Sequence, residues 1–362
     1  MSTRKLHVSL LLLLFEFSGS LLTKAPHWSL SRKSIHPYHS LSPSGLSTEC
    51  TIESYKHDEC WKLTYIFKPA SAGYEDYSPL LLVHPVGIGL SSWFWMKFIE
   101  ECKVGPAIYA VDLIGCGLEH GADAWNPMDR GSFFPLSWTE GCETLISNVI
   151  LPRFRQQLQL SSQSSLSNNR LRSLSESLSC IVITQGGVAP IGIMLAYRNP
   201  QTVSKLIMAS PPKWMELIHP IPEIDLKRNY DFLSLPVVGS LLFKLLETRY
   251  AIRLFSNLFL FSNPCDERWL DFIVNSTSIE AREPIKAFNA GLINHRSYEH
   301  ELHSLRQPTL ILSGFKDKRY SDRIPFKKAM KNCSLGIIDG LNVLGWENAI
   351  EFKRIVFEFA FY

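Results

Sequence analysis

The chain has no Cys-x-x-Cys pair and no Cys/His spacing of a zinc site, although it holds eight cysteines. It has no Gly-x-x-x-x-Gly-Lys loop and no Gly-x-Gly-x-x-Gly opening a helix after a strand. Neither a metal nor a cofactor is therefore expected. No basic stripe interleaves with aromatics, and the formal net charge is only +3, so nucleic acid is not an expected partner. The apolar stretch from Val8 to Leu22 is too short for a membrane span and is interrupted by Glu16. There is no internal repeat, and no Gly-x-Ser-x-Gly anywhere.

What is present is apolar. Of 362 residues, 46% are hydrophobic and 12% aromatic, enough for one large core plus an inserted subdomain. Cys180 sits in an apolar run and reads as core; Cys50 and Cys60 are near enough to be bridged in an oxidising compartment. Residues 1–48 differ from the rest: basic, Ser-rich, with Glu16 the single acid. They read as a targeting segment. The leucine run Leu10 to Leu14 suits a secretory signal, and the long acid-poor composition suits an organelle transit peptide.

Apolar runs separated by helix-length segments predict a mostly parallel, doubly wound sheet covered on both faces. The runs are Pro79–His84, Ala107–Asp112, Cys180–Thr184, Ser204–Ser210, Pro308–Gly314 and, more weakly, Leu335–Asp339. Such sheets bind ligands at the carboxyl ends of their strands. His84, Asp112, Thr184, Ser210, Asp317 and Asn342 fall there. A helix is expected over about 140–158, then a Ser-rich surface loop over 161–179. Between 213 and 305 the strand pattern gives way to helical periodicity, which predicts an inserted helical cap. The expected division is thus core over 49–212, cap over 213–305 and core again over 306–362. The apolar faces of the cap are expected to pack on the core and to line a cavity; contact with a membrane surface is the lesser alternative.

In these motifs the chain resembles the α/β-hydrolase superfamily, in its single-cap, epoxide hydrolase and dehalogenase-like branch. His84-Pro85-Val86-Gly87 stands at the place of a His-Gly-x-Gly turn. Asp112 to Gly117 matches Asp-x-x-Gly-x-Gly. Thr184-Gln185-Gly186-Gly187 matches Ser-x-Gly-Gly, Gly314 to Asp317 matches Gly-x-x-Asp, and Gly340-Leu341-Asn342 stands where Gly-x-His is usual. The details look closest to a cyanobacterial and plastid subgroup. The resemblance implies an α/β-hydrolase fold, triad-equivalent positions at Thr184, Asp317 and Asn342, oxyanion-hole amides at Val86 and Gln185, and a pocket that includes His84, Pro85 and Gly186. It also implies a plastid address, with the secretory pathway as the alternative.

The same positions depart from a working triad. A threonine hydroxyl still needs a base, and asparagine does not accept a proton at neutral pH. Pro85 removes one amide beside the oxyanion hole. The expectation is an α/β-hydrolase-fold protein that binds a small or acyl-chain apolar or ester ligand, with weak or no ester hydrolase activity. A non-catalytic sensor or scaffold, and lyase- or isomerase-type chemistry in the same pocket, are the alternatives.

Overall fold

The computed structural model describes residues 50–127, 131, 134–165 and 178–362. The expected targeting segment and most of the Ser-rich stretch lie outside them. Eight strands form one sheet: β1 (Thr51–His57), β2 (Trp61–Lys68), β3 (Leu80–Val83), β4 (Ile108–Val111), β5 (Cys180–Gln185), β6 (Val203–Ala209), β7 (Thr309–Gly314) and β8 (Cys333–Ile338). Their order is β1-β2-β4-β3-β5-β6-β7-β8. From β4 through β8 every pairing is parallel, while β1 and β2 form an antiparallel hairpin whose second strand pairs with β4.

The apolar runs become strands because each is covered on both faces. Every residue of β3, β4, β5 and β7 is buried. On one face Leu81, Val83, Val182 and Met208 pack with Trp138, Leu145 and Leu195 from helices Leu136–Leu145 and Ala189–Arg198. On the other, Leu82, Ile183 and Ile207 pack with Phe98, Phe352 and Val356 from helices Met96–Glu101 and Ala349–Phe361.

The hairpin β1–β2 is absent from the sequence reading. Its alternation is weak, since β1 is mostly exposed. Its turn uses Asp58 and Glu59 at φ of 51° and 55°, not the Asn-Gly or Asp-Gly that marks such turns in sequence. The helix read over about 140–158 is longer than expected: it begins at Leu136, passes through a π-helical turn at Ile146–Ile150 and runs to Ser165. Serine is only mildly unfavourable in a helix interior, so Ser161 and Ser162 do not end it. No disulfide forms among the described residues, so Cys50 and Cys60 are not bridged to each other.

Between β6 and β7 the chain is helical, with its longest pieces at Glu223–Leu233, Val238–Leu246, Glu267–Ser276 and Arg282–Asn289. An aromatic cluster fastens this insert to the sheet. Trp269 lies edge-on to Trp93 (5.4 Å between ring centroids) and edge-on to Trp346 at 5.3 Å; all three are fully buried. No helix among the described residues is long and apolar enough to cross a membrane.

Candidate functional site

The carboxyl end of the sheet gathers the residues singled out above, and β5 decides their roles. Thr184 is still within the strand: it pairs with Val83 of β3 and Met208 of β6. The strand continues through Gln185, and the chain turns only at Gly186, at φ +67°, before helix Ala189–Arg198. The apex of the elbow is therefore Gly186, two residues past Thr184. Alternation along the strand sends Thr184 to the face of the following helix. There an ideal Cβ on Gly192 would lie 2.6 Å from Thr184 Cγ2 and 3.5 Å from its Oγ1. Thr184 is fully buried, and its hydroxyl has no hydrogen-bond partner among the described residues. At Gly186 the opposite holds: an ideal Cβ meets nothing within 4 Å. At this position, which has no side chain, the backbone faces open space.

The position read as triad-equivalent, Thr184, thus lies two residues before the turn, and Gln185, read as an oxyanion donor, lies one residue before it. The amide that follows the apex belongs to Gly187, not Gln185. Phe288 of the insert packs closely on Gly187, since a Cβ there would lie 2.3 Å from the ring. The Gln185 side chain instead reaches across the opposite face, where Nε2 donates to the Asn342 carbonyl at 2.7 Å.

Asn342 is held as a joint. Its amide and that of Val343 donate to the Leu260 carbonyl of the insert at 3.1 and 3.3 Å. Glu347 accepts from the Leu341 amide at 2.8 Å and from the Ser262 amide at 2.6 Å. The loop at the base position is thus bolted to the insert by main-chain bonds.

Asp317 is fully engaged elsewhere. Its Oδ1 accepts from the Arg319 amide and Nε, each at 3.0 Å, and its Oδ2 pairs with Arg323 Nη1 at 2.9 Å. Arg323 is itself buried, bonding the Pro211 carbonyl at 2.8 Å and Ser313 Oγ at 3.0 Å. Burial works to raise the Asp317 pKa, but the Arg319 bonds and charge, with Arg323 behind them, hold it below the usual carboxylate range. No hydrogen bond joins Asp317 to Asn342 among the described residues.

His84 is not a spare base. Its Nε2 accepts from the Leu113 amide at 3.2 Å, which assigns the ring proton to Nδ1 and directs it to the Pro85 carbonyl at 2.8 Å. Burial lowers its pKa. The strongest electrostatic feature lies beside it. Asp112, wholly buried, accepts from Thr64 Oγ1 and the Ser92 amide, each at 2.7 Å, and pairs with His120 Nδ1 at 2.9 Å. Burial opposes the charged imidazolium, but the Asp112 charge and hydrogen bond prevail and push His120 up to about 9. Gly117, at φ +72°, lets the loop wrap this carboxylate, because a Cβ there would lie 2.3 Å from Asp112 Cγ.

The sequence reading named Asp112 but not the His120 pairing, nor Arg319 and Arg323 as partners of Asp317. One sequence signal did point to the apex: after Cys180 the first residue that takes positive φ without strain is Gly186. No group of three or more metal-ligating side chains occurs among the described residues.

Solved structures share this architecture. A loop variant of the haloalkane dehalogenase DbeA from Bradyrhizobium elkanii is similar at a TM-score of 0.59 and 15% identity, covering 85% of this chain and 96% of that one. The epoxide hydrolase CorEH is similar at 0.57 and 16%, covering 86% and 98%. A bacterial membrane phospholipase A is similar at 0.54 and 16%, covering 99% and 98%. No family model and no curated protein matches the sequence. Strand order, the elbow after β5 and these neighbours define an α/β-hydrolase fold. At such identities the likeness speaks for the fold alone.

Proposed function

We propose that this chain is a non-hydrolytic α/β-hydrolase-fold protein that binds a small apolar ligand beneath its helical insert. The observation that carries this reading is the elbow apex at Gly186, where the attacking atom of such a site would stand and no side chain exists. Two further features agree. Asn342 does not take a proton, and the carboxylate of Asp317 is consumed by two arginines and does not orient a base. The Thr184 hydroxyl is buried against Gly192 of the following helix, two residues before the open apex, so it is not placed to attack a bound ester.

The test is hydrolysis of a chain-length series of p-nitrophenyl esters by the full chain and by Thr184→Ala. Neither protein is expected to exceed buffer at any chain length. Turnover that is present in the parent and lost in Thr184→Ala would overturn the proposal and make Thr184 a nucleophile. We further propose that residues 1–48 carry a plastid address. Fusion of these residues to a fluorescent protein tests it, and export to the secretory pathway would refute it.

A further inference from the structure

Between the turns that follow β3 and β4, the cavity bounded by Gly87, Cys116, Ser276 and Ile285 measures 10 Å³, room for about one water-sized sphere. A cavity of 860 Å³ lies elsewhere, against helix Ala189–Arg198 and the insert helices Glu223–Leu233 and Glu299–Ser304. That is the size range of sites for drug-sized ligands. Its apolar walls include Trp125, Phe134, Leu136, Met194, Leu226 and Leu292. Trp125 and Phe134 lie nearly parallel, 2° apart with centroids at 6.3 Å, and present flat ring surfaces.

One polar group in this wall is incomplete. Glu301 lines the cavity and is only 8% exposed. Its Oε1 accepts from Arg296 Nη1 at 2.7 Å, while its Oε2 is buried with no partner among the described residues. A buried carboxylate oxygen without a donor is unfavourable, and a ligand that brings the donor removes that penalty. The cations around the cavity are already paired: Arg198 with Glu143, Lys227 with Asp231, and Arg296 with Glu301. The Tyr197 and Tyr230 hydroxyls are committed to His300 and Glu283. Among the described residues the site therefore offers an acceptor and no unpaired arginine or lysine.

We infer that this cavity, and not the elbow, is the ligand site, and that it takes a neutral amphiphile: an extended apolar or aromatic body with one hydroxyl or amide N–H donating to Glu301 Oε2. The inference rests on the ligand-binding reading given above and assigns its location and chemistry. No bond forms or breaks.

The experiment is fluorescence titration of the full chain with 1-pyrenemethanol and with 1-(methoxymethyl)pyrene, which lacks the donor. The alcohol is expected to bind about tenfold more tightly, the worth of one hydrogen bond to a charged acceptor. Glu301→Gln is expected to erase most of that preference. Leu292→Trp, which fills the cavity, is expected to abolish binding of both probes; Leu136→Trp fills it from the opposite wall if the first variant does not fold by circular dichroism. Equal affinity for the two probes overturns the role of Glu301. Binding that survives both tryptophan variants puts the ligand elsewhere and overturns the inference, while the ligand-binding reading stands. Absence of binding by both probes overturns the inference and the ligand-binding reading together. Ester turnover in a protein that binds the alcohol as described overturns the non-hydrolytic reading alone.

Discussion

Substituting Gly186 by serine tests the geometry of the elbow directly. Two terms decide its cost. The first is backbone strain, since φ is +67° and a non-glycine residue held in the left-handed region costs about 1–2 kcal/mol. The second is steric, and here it vanishes because the new Cβ meets nothing within 4 Å. Restricting the unfolded chain returns about 0.4–1 kcal/mol. Gly186→Ser is therefore expected to lower unfolding free energy by about 1 kcal/mol in urea titration monitored by tryptophan fluorescence. Gly192→Ala is the control, because its Cβ would lie 2.6 Å from Thr184 Cγ2 and 2.9 Å from Leu206 Cδ1, both buried. Overpacking of that kind costs about 1–3 kcal/mol. Trimming the neighbour with Thr184→Ser should relieve part of that cost, giving a favourable coupling in a double-mutant cycle. A loss above about 4 kcal/mol for Gly186→Ser would refute the open apex, and absence of coupling between Thr184 and Gly192 would refute the position of the threonine.

Further expectations follow from the buried polar groups. Because His120 titrates at about 9 in the fold against 6.5 unfolded, its pairing with Asp112 contributes about 3 kcal/mol. That stability is fully present below pH 6.5 and is lost as pH rises through 9; His120→Gln should flatten this part of the urea-stability profile, and an unchanged profile would refute the assignment. Thr184→Val keeps the shape and removes an orphaned hydroxyl, so melting temperature should hold or rise; a loss of more than about 1 kcal/mol would show that the hydroxyl has a partner. Arg323→Leu strips a buried cation from Asp317, Pro211 and Ser313 and should cost about 3–5 kcal/mol by denaturant titration. Arg319→Ala removes the more exposed partner and should cost less than about 1 kcal/mol beside it; equal losses would refute the ranking.

The sheet was legible because its central strands are covered on both faces, so Leu80 to Val83, Ile108 to Val111 and Cys180 to Thr184 read as unbroken apolar runs. The hairpin Thr51–Lys68 was not, because its first strand is half in water and its turn carries acids where glycine or asparagine would mark it. The set of candidate residues at the strand ends was also legible, but not which of them the elbow presents. A shift of two residues keeps a side chain on the same face of a strand. No alternation pattern therefore separates Thr184 from Gly186; only the point where the backbone leaves β5 does so.

By itself the sequence determined the parallel sheet, the interruption of that sheet by a helical segment, and the absence of a serine at the elbow, since each depends on local composition and periodicity. Tertiary structure alone decided that Asp317 faces Arg319 and Arg323, that Leu260 pins Asn342, and that the large cavity opens beside Glu301 instead of Gly186. Leu260 and Asn342, and the walls of the cavity, are brought together from distant parts of the chain by packing of the insert on the sheet. Asp317 and its arginines are near in sequence, but only the path of the loop after β7 turns the guanidinium groups onto the carboxylate.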